Sequence, residues 1–87
     1  MENEQWEKMD QLLQELIDGQ QKTLLQLARR IVPNATSDDI LQPNDFPELE
    51  NHPHFRYEEG VLAGFQSAQI ALRCRVRSLN SNAYALG

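Results

Sequence analysis

The chain has a single cysteine, Cys74, so one copy can form neither a disulfide nor a cysteine metal cluster. Its four glycines, Gly19, Gly60, Gly64 and Gly87, make neither a G-x-G-x-x-G turn nor a P-loop, which removes the common phosphate-cradling loops. No apolar run approaches the ~18–20 residues of a membrane span. The opening MENEQWEK is acidic and polar, unlike the basic-then-apolar start of a secretory signal. A net charge of −5 argues against a general nucleic-acid binder, whose phosphate contacts need a basic face. These absences set the expectation of a cytoplasmic protein with neither a membrane nor a nucleic acid among its partners.

Proline is missing too, except in one place. All four prolines stand in the segment PNATSDDILQPNDFPELENHP, residues 33–53. Proline removes a backbone donor and clashes with the preceding turn, so this middle cannot continue a helix from either side. The flanking segments both show helical apolar spacing. In the first, Trp6, Met9, Leu13, Leu16, Gln20, Leu24, Leu27 and Ile31 succeed one another at intervals of three or four residues, one continuous seam. Leu12, Ile17, Leu25 and Ala28 widen the stripe beyond what one neighbouring helix covers. Asp18-Gly19 is a turn-type dipeptide, but the seam keeps its phase across it, so the spacing predicts a helix over 4–32 without a break.

The segment 33–52 is expected to be an ordered connector. Thr36 with Asp39 three residues on is a capping pair for a turn through 38–41, and Asp45 ahead of Phe46-Pro47-Glu48 opens a second turn through 47–51. Pro53 suits a first helical turn with Asn51 or His52 as cap, which predicts a second helix over 53–79. Asn80-Ser81-Asn82 is expected to stop it, leaving a loose tail over 80–87. Gly60, Gly64 and Ala68 recur every four residues on this helix, a small-residue row that predicts close packing against another helix, the broad leucine face of the first one included. The expected fold is all-α: an antiparallel two-helix hairpin forming one domain. Eighty-seven residues are near the size at which a lone core is marginal. A hairpin also leaves part of each apolar stripe uncovered, so a homo-oligomer, two hairpins in a four-helix bundle, is expected.

Charge is unevenly spread. Residues 1–32 carry six acids and four bases, 33–59 seven acids and only Arg56, and 60–87 no acid but Arg73, Arg75 and Arg77. Cations near a helix C-terminus are favoured by its dipole, which explains these arginines, and Arg29 with Arg30, without a ligand.

Chemistry-bearing residues cluster around Asp45, Glu48, Glu50, His52, His54, Glu58 and Glu59. Imidazole and carboxylate are ligands for zinc and for non-haem iron or manganese, and a bundle can hold such a site, with His52, His54 and Glu58 as its candidates. The spacing lacks both H-E-x-x-H and a pair of Glu-x-x-His motifs, so no metal and no cofactor is expected and these residues read as helix caps and solvated acids. Glu58 and Glu59 point about 100° apart on a helix and do not face each other as a catalytic dyad must. Cys74 has no histidine beside it and is expected to be buried and inert.

What remains is a non-enzymatic binding or assembly module with a protein partner; the alternative is a metal-binding or catalytic bundle using the 45–59 cluster. Phe46, Leu49 and Phe55 of the acidic connector region, together with Trp6, are the candidate protein-binding residues. The competing reading turns Phe46, Leu49 and Phe55 inward to close the end of the bundle, and the balance tips slightly toward it.

Overall fold

The computed structural model describes residues 3–42 and 45–86, with side chains over 4–42 and 45–79. Four helices stand in the order α1 (Asn3–Ile31), α2 (Ser37–Leu41), α3 (Pro47–Glu50) and α4 (Pro53–Leu86). The long α1 and α4 pack against each other as an antiparallel hairpin, and α2 and α3 close one end of it. The molecule measures 56 × 20 × 19 Å.

Helix α1 passes through Gly19 unbroken. The in-phase seam on both sides offsets the ~1 kcal/mol that an interior glycine costs, and the Thr23 hydroxyl donates back to the Gly19 carbonyl at 3.2 Å. Pro33 ends the helix. Arg29 then turns its Nε to the Ala35 carbonyl at 3.0 Å, fastening the chain as it leaves α1.

The connector is held by local caps. The Thr36 hydroxyl accepts from the Asp39 N–H at 3.4 Å, and the Asp39 carboxylate accepts from the Thr36 N–H at 2.8 Å, a reciprocal capping box. Helix α3 starts with Pro47 in its first turn and Phe46 at the cap position, where no side chain bonds the backbone. Asp45 therefore does not serve the role its place before Phe46-Pro47-Glu48 suggested. Pro43 and Asn44 lie outside the described residues. His52 precedes α4, and its Nδ1 accepts from the Phe55 N–H at 3.2 Å, so the histidine is the cap.

Helix α4 departs from expectation at its other end. It runs on through Asn80-Ser81-Asn82 to Leu86, where a stop at Leu79 and a loose tail were expected. Asparagine and serine cost a helix only a few tenths of a kcal/mol each, and good helix formers come after them at Ala83, Ala85 and Leu86 with no proline among them. Gly87 lies outside the described residues.

The core sits entirely at the connector end. Ile17, Leu24, Leu27 and Ala28 of α1 meet Ala35, Ile40, Leu49, Phe55 and Leu62, with Phe55, Leu24 and Leu49 the largest fully buried side chains. Among the described residues, Gln69 is the one buried side chain beyond this span. The hairpin thus has two halves of different character, one with a closed core and a distal half, α1 before Ile17 and α4 after Leu62, with almost none.

Candidate functional site

A ladder of polar contacts runs up the hairpin from the core. Nearest the connector, the Gln20 amide donates to the Glu58 carbonyl at 2.9 Å and to its carboxylate at 3.3 Å. Next, the buried Gln69 donates to Gln14 Oε1 at 3.0 Å. Beyond it, the Arg73 guanidinium grips Asp10 in a two-pronged pair, Nε to Oδ1 at 2.7 Å and Nη2 to Oδ2 at 3.1 Å. That hydrogen bond and the arginine's charge hold the Asp10 carboxyl below its ordinary range, and the carboxylate holds Arg73 higher in turn. Arg73 is therefore a cross-helix strut, not the helix-end cation its position suggested.

The ladder tells which way every other distal side chain turns. Met9, Leu13 and Leu16 stand one before, three after and six after Asp10; Leu72, Val76 and Leu79 stand at the same offsets from Arg73. At about 100° per residue, these offsets lie ~60–120° to one side of the Asp10–Arg73 pair, which itself sits at the exposed edge of the contact. Equal rotations on two antiparallel right-handed helices turn both sets to the same side of the hairpin. Phe65, eight residues before Arg73, joins them. The result is one apolar face on the distal half, in which Met9 is 49%, Leu16 41% and Leu79 44% exposed, with Leu12 on its outer flank at 58%. On the side of the Asp10–Arg73 pair, Glu7, Gln11 and Arg77 border an open groove of about 710 Å³ that Trp6, Leu72 and Val76 also line, so Leu72 and Val76 lie between this groove and the apolar face.

The residues proposed from sequence fall in different places. Leu49 and Phe55 are wholly buried, so they close the core and offer nothing to a partner; the inward reading holds for both. Phe46 is half-buried and packs against that core. Trp6 is half-buried in the distal half, remote from the other three. Gly60, Gly64 and Ala68 are exposed, and a Cβ at either glycine would meet nothing within 4 Å. The small-residue row is therefore not the contact between α1 and α4, which is made instead through Leu62, Gln69 and Arg73. Cys74 is exposed, not buried, because it stands one residue past Arg73 on the side facing away from α1.

The alternative metal candidates are not assembled. His52 spends its Nδ1 on the α4 cap, its ring centre lies 6.4 Å from that of His54, and Glu58 receives Gln20. Glu59 turns the other way to Arg56 at 3.0 Å, as adjacent helix positions must. Among the described residues no three His, Cys, Asp or Glu side chains come together as a metal site. Nor is any described helix long and apolar enough to cross a membrane.

The ladder went unread in the sequence although it left a trace there. Asp10 and Gln14 are four apart on α1, Gln69 and Arg73 four apart on α4, and antiparallel pairing brings each to its opposite number. Comparison of the chain with protein-family models, with curated proteins and with solved structures finds no match.

Proposed function

We propose that this chain is a small non-enzymatic helical assembly module of the cytoplasm, which pairs with a second copy into a four-helix bundle and engages a protein partner in that form. One observation carries the reading: the distal half leaves Met9, Leu12, Leu16, Ile70 and Leu79 exposed to water. Monomeric proteins rarely leave a contiguous apolar patch of more than a few hundred Å² uncovered, and larger ones mark interaction sites. The side chains that sequence offered for catalysis support the non-enzymatic part of the reading, since His52, Glu58 and Glu59 are engaged in a helix cap, a cross-helix contact and an ion pair.

Sedimentation equilibrium tests it directly. The chain weighs 10.0 kDa, and a mass near twice that is expected at micromolar concentration. A 10 kDa species persisting through the whole micromolar range refutes the reading.

A further inference from the structure

The distal apolar face is close in size to half an interface. Met9, Leu12, Leu16 and Leu79 together expose close to two whole residues, and with the half-buried Leu13 and Phe65 the apolar area comes to roughly 400 Å². A stable interface covers ~800 Å² on each partner, of which ~56–65% is apolar, or about 450–520 Å². The connector half buries most of its large apolar side chains in the core, and its exposed Leu41 (72%) and Tyr57 (68%) stand on different elements, α2 and α4.

Charge then selects among the ways two such faces can meet. Residues 3–16 of α1 carry Glu4, Glu7, Asp10 and Glu15 against Lys8, a net of −3; residues 65–79 of α4 carry Arg73, Arg75 and Arg77 and no acid, a net of +3. Stacking two faces about a twofold axis perpendicular to the helices lays α1 on α1 and α4 on α4, like charge on like. An axis parallel to the helices lays α1 of each chain on α4 of the other. Packed helices lie ~8–10 Å apart, about one Debye length at physiological salt, so the helices' net charges are felt across the contact. We infer that the occupant of this face is the same face of a second copy, related by a twofold axis parallel to the helices, with both connectors at one end of the bundle. The inference rests on the association reading above and adds the face and the sense of pairing. All four neighbouring contacts in such a bundle are then antiparallel, as in an up-down-up-down arrangement.

Two measurements test it. A nitroxide is placed at Asn34→Cys, an exposed site at the connector end, in the Cys74→Ser background, and the distance between the two labels is read by pulsed electron resonance. Phe55 at the foot of α4 is 18 residues from Arg73, ~27 Å at 1.5 Å per residue. Connectors at opposite ends therefore put the labels at least ~50 Å apart. With connectors together, the 20 × 19 Å cross-section of each hairpin keeps them within ~40 Å. A short distance is expected, and a long one overturns the proposed axis while leaving association intact. Second, Leu16→Asp and Leu79→Asp, on the face, are compared with Ile70→Asp, which is 61% exposed on the opposite side. Each face variant is expected to weaken pairing at least about tenfold, with helicity retained by circular dichroism and Ile70→Asp pairing like the wild type. Equal behaviour of all three places the contact elsewhere and overturns the face, and a wild-type chain that stays monomeric overturns the association reading itself.

Discussion

Replacing Phe55 by alanine is the sharpest test of where this molecule keeps its stability. Phe55 is one of the largest fully buried side chains, locked at the start of α4 by the His52 cap, in a core shared with Leu24, Leu49 and Ile40. Truncating a buried phenylalanine removes its transfer free energy and leaves a cavity, a loss of ~3–5 kcal/mol. A chain of 87 residues has ~4–13 kcal/mol in all at 0.05–0.15 per residue. The variant should therefore lose about a quarter or more of its stability. Urea unfolding followed by far-ultraviolet circular dichroism reads this as a midpoint lowered by ~2 M or more for a slope near 1.5 kcal/mol/M, with the slope itself unchanged. Wild type and variant must be held at one chain concentration, since the proposed association would add to apparent stability. Phe46→Ala is the internal comparison: half-buried at the edge of the same core, it should cost no more than ~1–2 kcal/mol. A loss below ~1 kcal/mol for Phe55→Ala, or a larger loss for Phe46→Ala, would mean that the connector does not close the core as described.

Other outcomes rest on the same geometry. Gly19→Ala should raise stability by up to ~1 kcal/mol, because a Cβ there meets nothing within 4 Å; a loss in thermal melts would show that the glycine is needed. Thr36→Ala removes the hydroxyl of the capping box and should lower stability by ~1 kcal/mol, with Thr36→Ser restoring most of it. The Asp10 carboxyl, held below its ordinary value of 3.8 by Arg73, contributes stability that is in place above that value and is lost as pH falls through its lower folded-state value. Nuclear magnetic resonance titration should find Asp10 below 3.8 in the wild type and back in the ordinary range in Arg73→Gln. Native-state hydrogen exchange at low concentration should be slowest over residues 17–28 and 55–62 and faster over 3–12 and 70–79, the order opposite to that expected if Trp6 anchored the core.

Much of the backbone was legible because its determinants are local. Proline confined to 33–53, Thr36 spaced three from Asp39, and Pro53 after a capping residue each act within one turn of chain, and the elements start where they say. The unbroken passage through Gly19 was legible for a different reason, since a seam that keeps phase outweighs one poor helix former. The end of α4 was not, because asparagine and serine are weak deterrents, easily outweighed by good helix formers placed after them. The location of the core was illegible as well. Leu16 and Leu24 belong to one seam, yet one is 41% exposed and the other 1%. What separates them is the connector, which folds back over Leu24 and never reaches Leu16, and no periodicity records where a loop comes to rest.

The polar ladder gives the half-built core a physical logic. An exposed two-helix contact made only of leucine would slide, since apolar packing alone discriminates poorly between registers one turn apart. Gln69 with Gln14 satisfies a buried amide that a shifted register would leave facing apolar neighbours, and an unmet buried donor costs ~1–3 kcal/mol. The exposed Arg73–Asp10 pair adds a second point of registry. The ladder thus fixes the register of the distal half without consuming its leucines, which are rotated to one side and remain available. Had Asp10, Gln14, Gln69 and Arg73 been apolar, the hairpin would have been sealed along its length and the face that includes Met9, Leu16, Leu72 and Leu79 would have had less reason to carry large side chains. Polar residues that bridge the two helices, with apolar ones beside them, are the arrangement that the proposed pairing of two hairpins would use.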